Sequence, residues 1–356
     1  MVEGDGCHRV AAEHKKTLVG RKFLASSPNG RFTAGAQAIA KVGGVLLKIE
    51  VHGKNMFYFF GKKGGGAMLV VHIHFGMAGA FAVYRGEEPL VTGNTRLRLG
   101  TADTGPRLAA HLSAMTVVHG TQEQIYETIV KKLGPDPLRE DADPERLVGS
   151  CAAAKKPIGT LLMDQSFCAG VGNIYRSEAL YEAAIHPNQP ANTLSRVEVL
   201  HLWAIVVEQM QAGFKTGSIW GTKSSAFCYG CTKSACGGTV RSWSMAGRTV
   251  YACTKRQHLD ANRPAVGGTI GKVKSGTDHL GKMVPAVKAE QKKRKTGEGL
   301  GVQHVALKDD ATRKAALAAA VKKRKMASPR KRPAATEAVR KRPAATNGKA
   351  KQPRVA

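Results

Sequence analysis

Residues 161–190, LLMDQSFCAGVGNIYRSEALYEAAIHPNQP, read as two short helices joined by a glycine-framed loop that exposes Asn173. The run LLMDQSF is apolar on one face. Gly170 and Gly172 permit backbone angles that a Cβ disfavours, and YRSEALYEAAI resumes a helical period until His186-Pro187 stops it. Backbone N–H groups at the start of the second helix, together with the Asn173 amide, would converge on an anion such as a phosphate. Spacing by itself leaves a second reading open, in which Gly-x-Gly is only a tight connection.

Charge points the same way as the phosphate reading. The chain carries 55 Lys and Arg against 26 Asp and Glu, a formal net charge of +29, which implies an anionic partner. It has no long apolar run and no secretory h-region, so no membrane is expected, and nucleic acid is the economical partner. The seven cysteines include the scattered Cys7, Cys151 and Cys168, which fit a reducing compartment better than a disulfide framework.

The 161–190 segment resembles the helix-two-turn-helix of the formamidopyrimidine-DNA glycosylase and endonuclease VIII family, in which DQ, G-x-GN-[IY]-Y-R-x-E and I-H-P occur in this order. The same element is found in some ribosomal proteins and topoisomerases. It therefore implies nucleic-acid binding and leaves catalysis to the N-terminus. The chain begins Met1-Val2-Glu3-Gly4-Asp5-Gly6-Cys7, and the small Val2 should let the initiator Met be removed, leaving an α-amine beside a carboxylate. An α-amine, with a reference pKa of about 7.7–8.0, keeps a neutral nucleophilic fraction that an ordinary Lys at about 10.4 lacks. Most family members begin Pro-Glu-Gly-Pro-Glu after Met, and an animal endonuclease VIII-like branch begins Val-Glu-Gly-Pro-Gly-Cys; this chain is similar to the latter at Val2, Glu3, Gly4, Gly6 and Cys7. The resemblance implies Val2 as the Schiff-base nucleophile and Glu3 as the proton-transfer group. Asp5 stands where Pro is usual, and Gly6 lacks the second Glu of the Pro-starting enzymes, so modest activity is expected.

Further positions follow from the same resemblance. Gly53-Lys54 precedes a mostly apolar run, a turn delivering Lys54 at a strand start, and similarity to the family's R-G-K-x-L implies contact with the phosphate or damaged nucleotide. The strand and turn VVHIHFGMAG resemble the family's H-x-x-M-x-G, which implies that Met77 fills the gap left when a nucleotide leaves the stack. His72 and His74 alternate on that strand and read as packed or surface groups rather than metal ligands. The loop D-x-R-R-F-G of duplex-preferring members is missing from the comparable stretch LAAHLSAMTVV, residues 108–118, so a preference for single-stranded or unwound DNA is expected.

Cys228, Cys231, Cys236 and Cys253 lie in a two-strand pattern with turns at Gly237-Gly238 and Ala246-Gly247, and four cysteines can close a structural zinc site. The family finger has two Cys-x-x-Cys pairs, but Lys233 and Arg256 occupy two of those positions here. Either Cys228 and Cys231 substitute from slightly upstream, or the hairpin stands without metal as in some plant relatives. Gly247-Arg248 is similar to the start of the family's G-R-x-T, which implies that Arg248 grips phosphate oxygens from the hairpin tip.

The expected architecture is α+β and multidomain. Residues 2–120 carry one amphipathic helix pattern, AAEHKKTLVG, and then short β-type runs, giving an N-terminal antiparallel β-sandwich. The stretch 121–143, with GPDPL resembling the family linker, joins it to a helical domain at 144–217, a zinc-finger-like β-hairpin at 218–258 and a disordered basic tail at 259–356. Residues 321–356 hold 13 Lys or Arg and one acid, and RKRPAAT occurs at 330–336 and again at 340–346. These runs resemble bipartite import signals, which implies nuclear import receptors as partners and the nucleus as location, and they would add sequence-independent DNA affinity.

The resemblance therefore implies a monomeric DNA glycosylase and abasic-site lyase of base excision repair, removing oxidised bases and cleaving by β-elimination, with no catalytic cofactor. Two rivals stand beside it: a DNA-binding protein that keeps the fold without catalysis, and an abasic-site lyase with little base excision.

Overall fold

The run NMFYFFG lacks the polar alternation of a half-solvated strand, and the structure covers it on both faces. Met56, Tyr58 and Phe60 point into the first core, whereas Phe57 and Phe59 join Val70 beneath Ile125, Tyr126, Ile129 and Val130. This strand, β3 (Asn55–Gly61), belongs to a four-stranded antiparallel sheet ordered β2–β3–β4–β8, with β2 (Val45–His52), β4 (Leu69–His74) and β8 (Thr116–Gly120). A second antiparallel sheet runs β1–β6–β7–β5, from β1 (Phe23–Ser26), β6 (Leu97–Thr101), β7 (Leu108–Ser113) and β5 (Ala80–Arg85). Leu97, Leu99 and Leu112 of this sheet share one core with Ile49, Met56 and Ile73 of the other, which is the expected sandwich. The structure is a computed structural model that describes residues 2–266 apart from 67, 104 and 222–224, all within one compact unit spanning residues 1–274.

Two helices, not one, flank the sandwich. The expected helix begins earlier than its most periodic stretch, as α1 (Gly4–Thr17), with Asp5 in the first turn and Lys15 and Lys16 in the last, both favourable to the helix dipole. The second, α2 (Thr33–Lys41), buries only Gly35, Ala36 and Ile39, so its alanine-rich sequence gives propensity without an apolar stripe and escapes a periodicity reading. The start of the expected linker is also structured. A π-helical turn, Gln122–Glu127, capped reciprocally by Thr121 and Gln124, runs into α3 (Thr128–Val130) and supplies the outer cover of β3.

The helical domain comprises α4 (Glu145–Ala153), α5 (Ile158–Leu161), α6 (Asn173–Glu182) and α7 (Arg196–Thr216). Its own core includes Leu147, Phe167, Tyr175, Leu180, Val206 and Met210. A Ser195–Glu198 capping box starts α7 and Gly217, at φ 73°, ends it. The first helix of the glycine-framed pair ends at Leu161, so LLMDQSF is mostly turn. Asp164 explains this: its side chain accepts from Ser166 N at 2.9 Å while its carbonyl accepts from Phe167 and Cys168.

Strands β9 (Val240–Met245) and β10 (Arg248–Cys253) form the hairpin, joined through Ala246 and Gly247 at φ 53° and 68°, a two-residue turn with both centres left-handed. The expected disordered tail starts too early. Residues 259–266 pack on the helical domain through reciprocal Gln189–Asp260 hydrogen bonds, an Arg263–Glu198 ion pair and a Val266 N to Asn192 O bond of 2.7 Å. The import-signal phrases lie outside the described residues. Among the described residues no helix is long and apolar enough to cross a membrane.

Candidate active site at the domain junction

Three chain segments meet backbone to backbone where the sandwich joins the helical domain. Gly4 N donates to Gly170 O at 3.0 Å. Gly53, in the β2–β3 turn at φ 60°, lies so close to the glycine-framed loop that a Cβ there would sit 2.5 Å from Gly170 N. A Cβ on Gly172 would strike the Glu3 carboxylate at 2.5–2.7 Å. The glycines are thus needed for contact between segments as well as for turning the chain.

Glu3 is the centre of the knot. Only 1 % exposed, it accepts from Gly172 N at 2.8 Å and Ile174 N at 2.9 Å, at the N-terminus of α6. The anion that this helix start holds is therefore the protein's own carboxylate. Burial raises the Glu3 pKa above the ordinary carboxyl value, against the opposing pull of Lys54 and the two N–H groups. Lys54, half-buried, donates from Nζ to Val171 O at 2.8 Å, and burial lowers its pKa while Glu3 opposes the shift. Burial thus shifts the two groups in opposite directions, and the charge of each opposes the shift of the other. Val2 precedes Glu3 and rests its side chain against the first core. Burial also raises the pKa of the neighbouring Asp5, at the start of α1.

The supporting residues were not singled out from sequence. Asp136, between two prolines of the linker and 3 % exposed, accepts from Gly53 N at 2.6 Å and Leu138 N at 3.0 Å and lies 2.7 Å from His8 Nε2, so it pins the turn that presents Lys54. Gln165 accepts from Gly170 N at 3.0 Å and donates to Val171 O at 3.0 Å, holding the loop from below. An acid framed by prolines and the Gln of the DQ pair were the available signals.

Asn173 differs from expectation. It is 3 % exposed rather than displayed: its amide donates to Thr249 O at 2.9 Å, and its oxygen accepts from Arg176. The fully buried Arg176 also donates to Met245 O at 3.1 Å, so the helix start anchors the hairpin. Arg248 is exposed on that hairpin and reaches Met77 Sδ at 3.5 Å, which brings the two expected DNA contacts together across the cleft. Met77 is 59 % exposed, and so is Met115, at 61 %, on the two-residue turn between β7 and β8. A Cβ on Gly76 would meet Met115 at 2.8 Å, so the turn that carries Met77 packs closely against the one that carries Met115. An exposed apolar side chain on a tight turn was the missed signal. His72 is packed as expected, stacked on Phe57 and 2.9 Å from Asn55 Oδ1, with burial lowering its pKa to about 4.

The expected zinc ligands do not converge. Among the described residues no group of three or more His, Cys, Asp or Glu side chains is placed to hold a metal. Cys231 turns its thiol to the carbonyls of Ala226 and Tyr229, and Cys228 is buried with Tyr181 and Cys253 in a small apolar cluster. The sulfurs of Cys236 and Cys253 lie 3.5 Å apart, and Cys228 packs in the same small cluster. Arg256, in one of the family's ligand positions, instead donates to the carbonyls of Tyr181 and Glu182 at the end of α6 and stacks over the Tyr181 ring. Glu178, 4 % exposed, accepts from Phe227, Cys228 and Tyr229 N, each at 2.8 Å. Hydrogen bonds to α6 help seat the hairpin and the segment before it.

A buried acid beside a half-buried lysine, set under a helix-two-turn-helix and faced by an arginine-bearing hairpin, defines a class of DNA-processing fold. Residues 133–224 match the family model described as the formamidopyrimidine-DNA glycosylase H2TH domain. The chain is 32 % identical over 274 residues to endonuclease 8 1 of Mycobacterium tuberculosis strain H37Rv, covering 71 % of this chain and 98 % of that one. It is 29 % identical over 205 residues to formamidopyrimidine-DNA glycosylase of Geotalea uraniireducens, covering 47 % and 73 %. The fold matches Lactococcus lactis formamidopyrimidine-DNA glycosylase bound non-covalently to DNA containing an abasic site, with a TM-score of 0.61 at 25 % identity over 72 % of this chain and 99 % of that one. The chain belongs to the formamidopyrimidine-DNA glycosylase and endonuclease 8 family, whose members are DNA glycosylases and abasic-site lyases.

Proposed function

We propose that this protein excises damaged bases from DNA and cleaves the resulting abasic site. The observation that carries this reading is the Glu3 carboxyl, buried next to Val2 and raised in pKa with Lys54 beside it. On a chain from which Met1 has been removed, the Val2 amine attacks C1′ of the damaged nucleotide, and Glu3 protonates O4′ as the C1′–O4′ bond opens. The nitrogen lone pair then closes a C=N bond as the base departs with the C1′–base electron pair. Loss of a C2′ proton breaks the C3′–O3′ bond, which is β-elimination.

Arg248 contacts backbone phosphate, Lys54 the phosphate or damaged nucleotide, and Met77 with Met115 fills the gap left by the extruded nucleotide. For Asn173 to reach a phosphate its amide must leave Thr249 O. The two-residue turn between β7 and β8 carries no arginine, which favours single-stranded or unwound DNA, where no partner base has to be replaced. The repeated RKRPAAT phrases support nuclear import, which a fluorescent fusion with and without residues 321–356 tests.

Borohydride trapping on single-stranded DNA bearing one abasic site tests the chemistry. Processed protein should give a covalent adduct that disappears when an uncleaved N-terminal tag blocks the amine. No adduct from processed protein would replace this reading with DNA binding alone.

A further inference from the structure

We propose that Cys236 and Cys253 form a peroxide-sensitive dithiol–disulfide pair at the base of the β9–β10 hairpin. Their sulfurs lie 3.5 Å apart, and the Ser234 hydroxyl sits against both, 3.3 Å from Cys236 Sγ and 3.1 Å from Cys253 Sγ. The pocket for the inner sulfur is built by an absent side chain: a Cβ on Gly238 would meet Cys253 Sγ at 2.5 Å. The pair is also asymmetric. Cys253 is fully buried, whereas Cys236 is partly exposed and is followed by Gly237-Gly238, which gives its side chain room to move. Bonded sulfurs lie about 2.0 Å apart, so closure requires an approach of about 1.5 Å.

Of the other two finger cysteines, Cys231 faces carbonyl groups and Cys228 packs in the same buried cluster as Cys253, but no group of three ligands among the described residues is placed to hold a metal. The positions at which relatives would supply two more thiols carry Lys233 and Arg256. What remains is two thiols in van der Waals contact.

The oxidant is a peroxide. The Cys236 sulfur attacks the peroxide oxygen, its proton goes to the leaving oxygen, and hydrogen peroxide is reduced to water as Cys236 becomes a sulfenic acid. The Cys253 sulfur then attacks the Cys236 sulfur, the S–O bond breaks, and hydroxide leaves with the Cys253 proton as a second water. Two thiols and one hydrogen peroxide give one disulfide and two waters. The cross-link spans 17 residues that include Arg248 at the hairpin tip, so it ties the DNA-facing strand to the loop preceding β9. Reduction by a small thiol reverses it.

The test treats reduced full-length protein with hydrogen peroxide, blocks free thiols with N-ethylmaleimide, digests, and maps linked peptides by mass spectrometry. The expected result is a Cys236–Cys253 linked pair, loss of two of the seven thiols, recovery on addition of dithiothreitol, and the same link in Cys231→Ser but not in Cys236→Ser. Three results would each overturn the proposal. One is zinc bound at one per chain in the reduced protein and protecting both thiols. Another is Cys236 carried to sulfinic acid with Cys253 still free, and the third is both thiols unchanged. The wild-type map stands alone if a substituted chain fails to fold.

Discussion

Glu3 owes its chemistry to two opposing environments in one place. Two backbone N–H groups and Lys54 favour its charged form, burial disfavours it, and burial prevails. Glu3→Gln keeps an acceptor for one of these N–H groups but has no proton to give, so single-turnover base release should fall by roughly 10²-fold or more. Undiminished release would remove Glu3 from the chemistry. The sign of the pH dependence follows from the direction of the shift. In the proposed mechanism Glu3 acts in its protonated form, so activity should fall as pH rises through its folded pKa, which burial places above the ordinary carboxyl value. Lys54 pulls that pKa down, so Lys54→Met should move this limb of the pH–rate profile to higher pH. A limb that moves to lower pH would contradict the assignment.

At the scale of elements, the hairpin is seated by α6 and closed by an uncomfortable turn. Ala246 adopts φ 53°, a conformation that costs an L-residue with a Cβ roughly 1–2 kcal/mol and that asparagine tolerates. Ala246→Asn should therefore stabilise the protein by about 0.5–1 kcal/mol in denaturant unfolding; an unchanged or lower midpoint would count against this turn geometry. Glu178 has the opposite role. Replacing it with Ala strips the acceptor from three backbone N–H groups, with an expected cost of at least about 2 kcal/mol. Amide exchange at Phe227, Cys228 and Tyr229 should accelerate before that of the sandwich strands. Retained protection there would show that apolar packing around Tyr181 and Cys228 seats the segment without the carboxylate.

For the whole molecule, the proposed function assigns affinity to charge and selectivity to the cleft. The net charge of +29 predicts DNA binding that weakens steeply with salt. Deleting residues 321–356 removes 13 basic side chains and one acid, so the slope of log affinity against log salt should become shallower, while turnover at saturating DNA is preserved. A turnover that falls with the deletion would give the basic segment a part in catalysis. Comparison of a lesion in single-stranded DNA with the same lesion in matched duplex tests the selectivity: equal turnover would mean that the methionine tips at Met77 and Met115 suffice to hold an opened duplex.

Local patterns carried much of this protein. The short β-type runs pointed to a sandwich, residues 144–217 read as helical, and the resemblance carried by Val2-Glu3 and G-x-GN-I-Y-R-x-E marked the two halves of the site. The elements were legible from local residue pattern, whereas the site residues were legible through short motifs shared with a known family. The tertiary structure alone decided which anion the α6 N-terminus holds, because Glu3 lies 169 and 171 residues from the N–H groups it accepts from. Burial of Asn173 and pinning of the Lys54 turn by Asp136 likewise depend on segments far apart in sequence. Their energies come from desolvation and from distances of a few ångströms between those segments, quantities that no periodicity or spacing along the chain encodes.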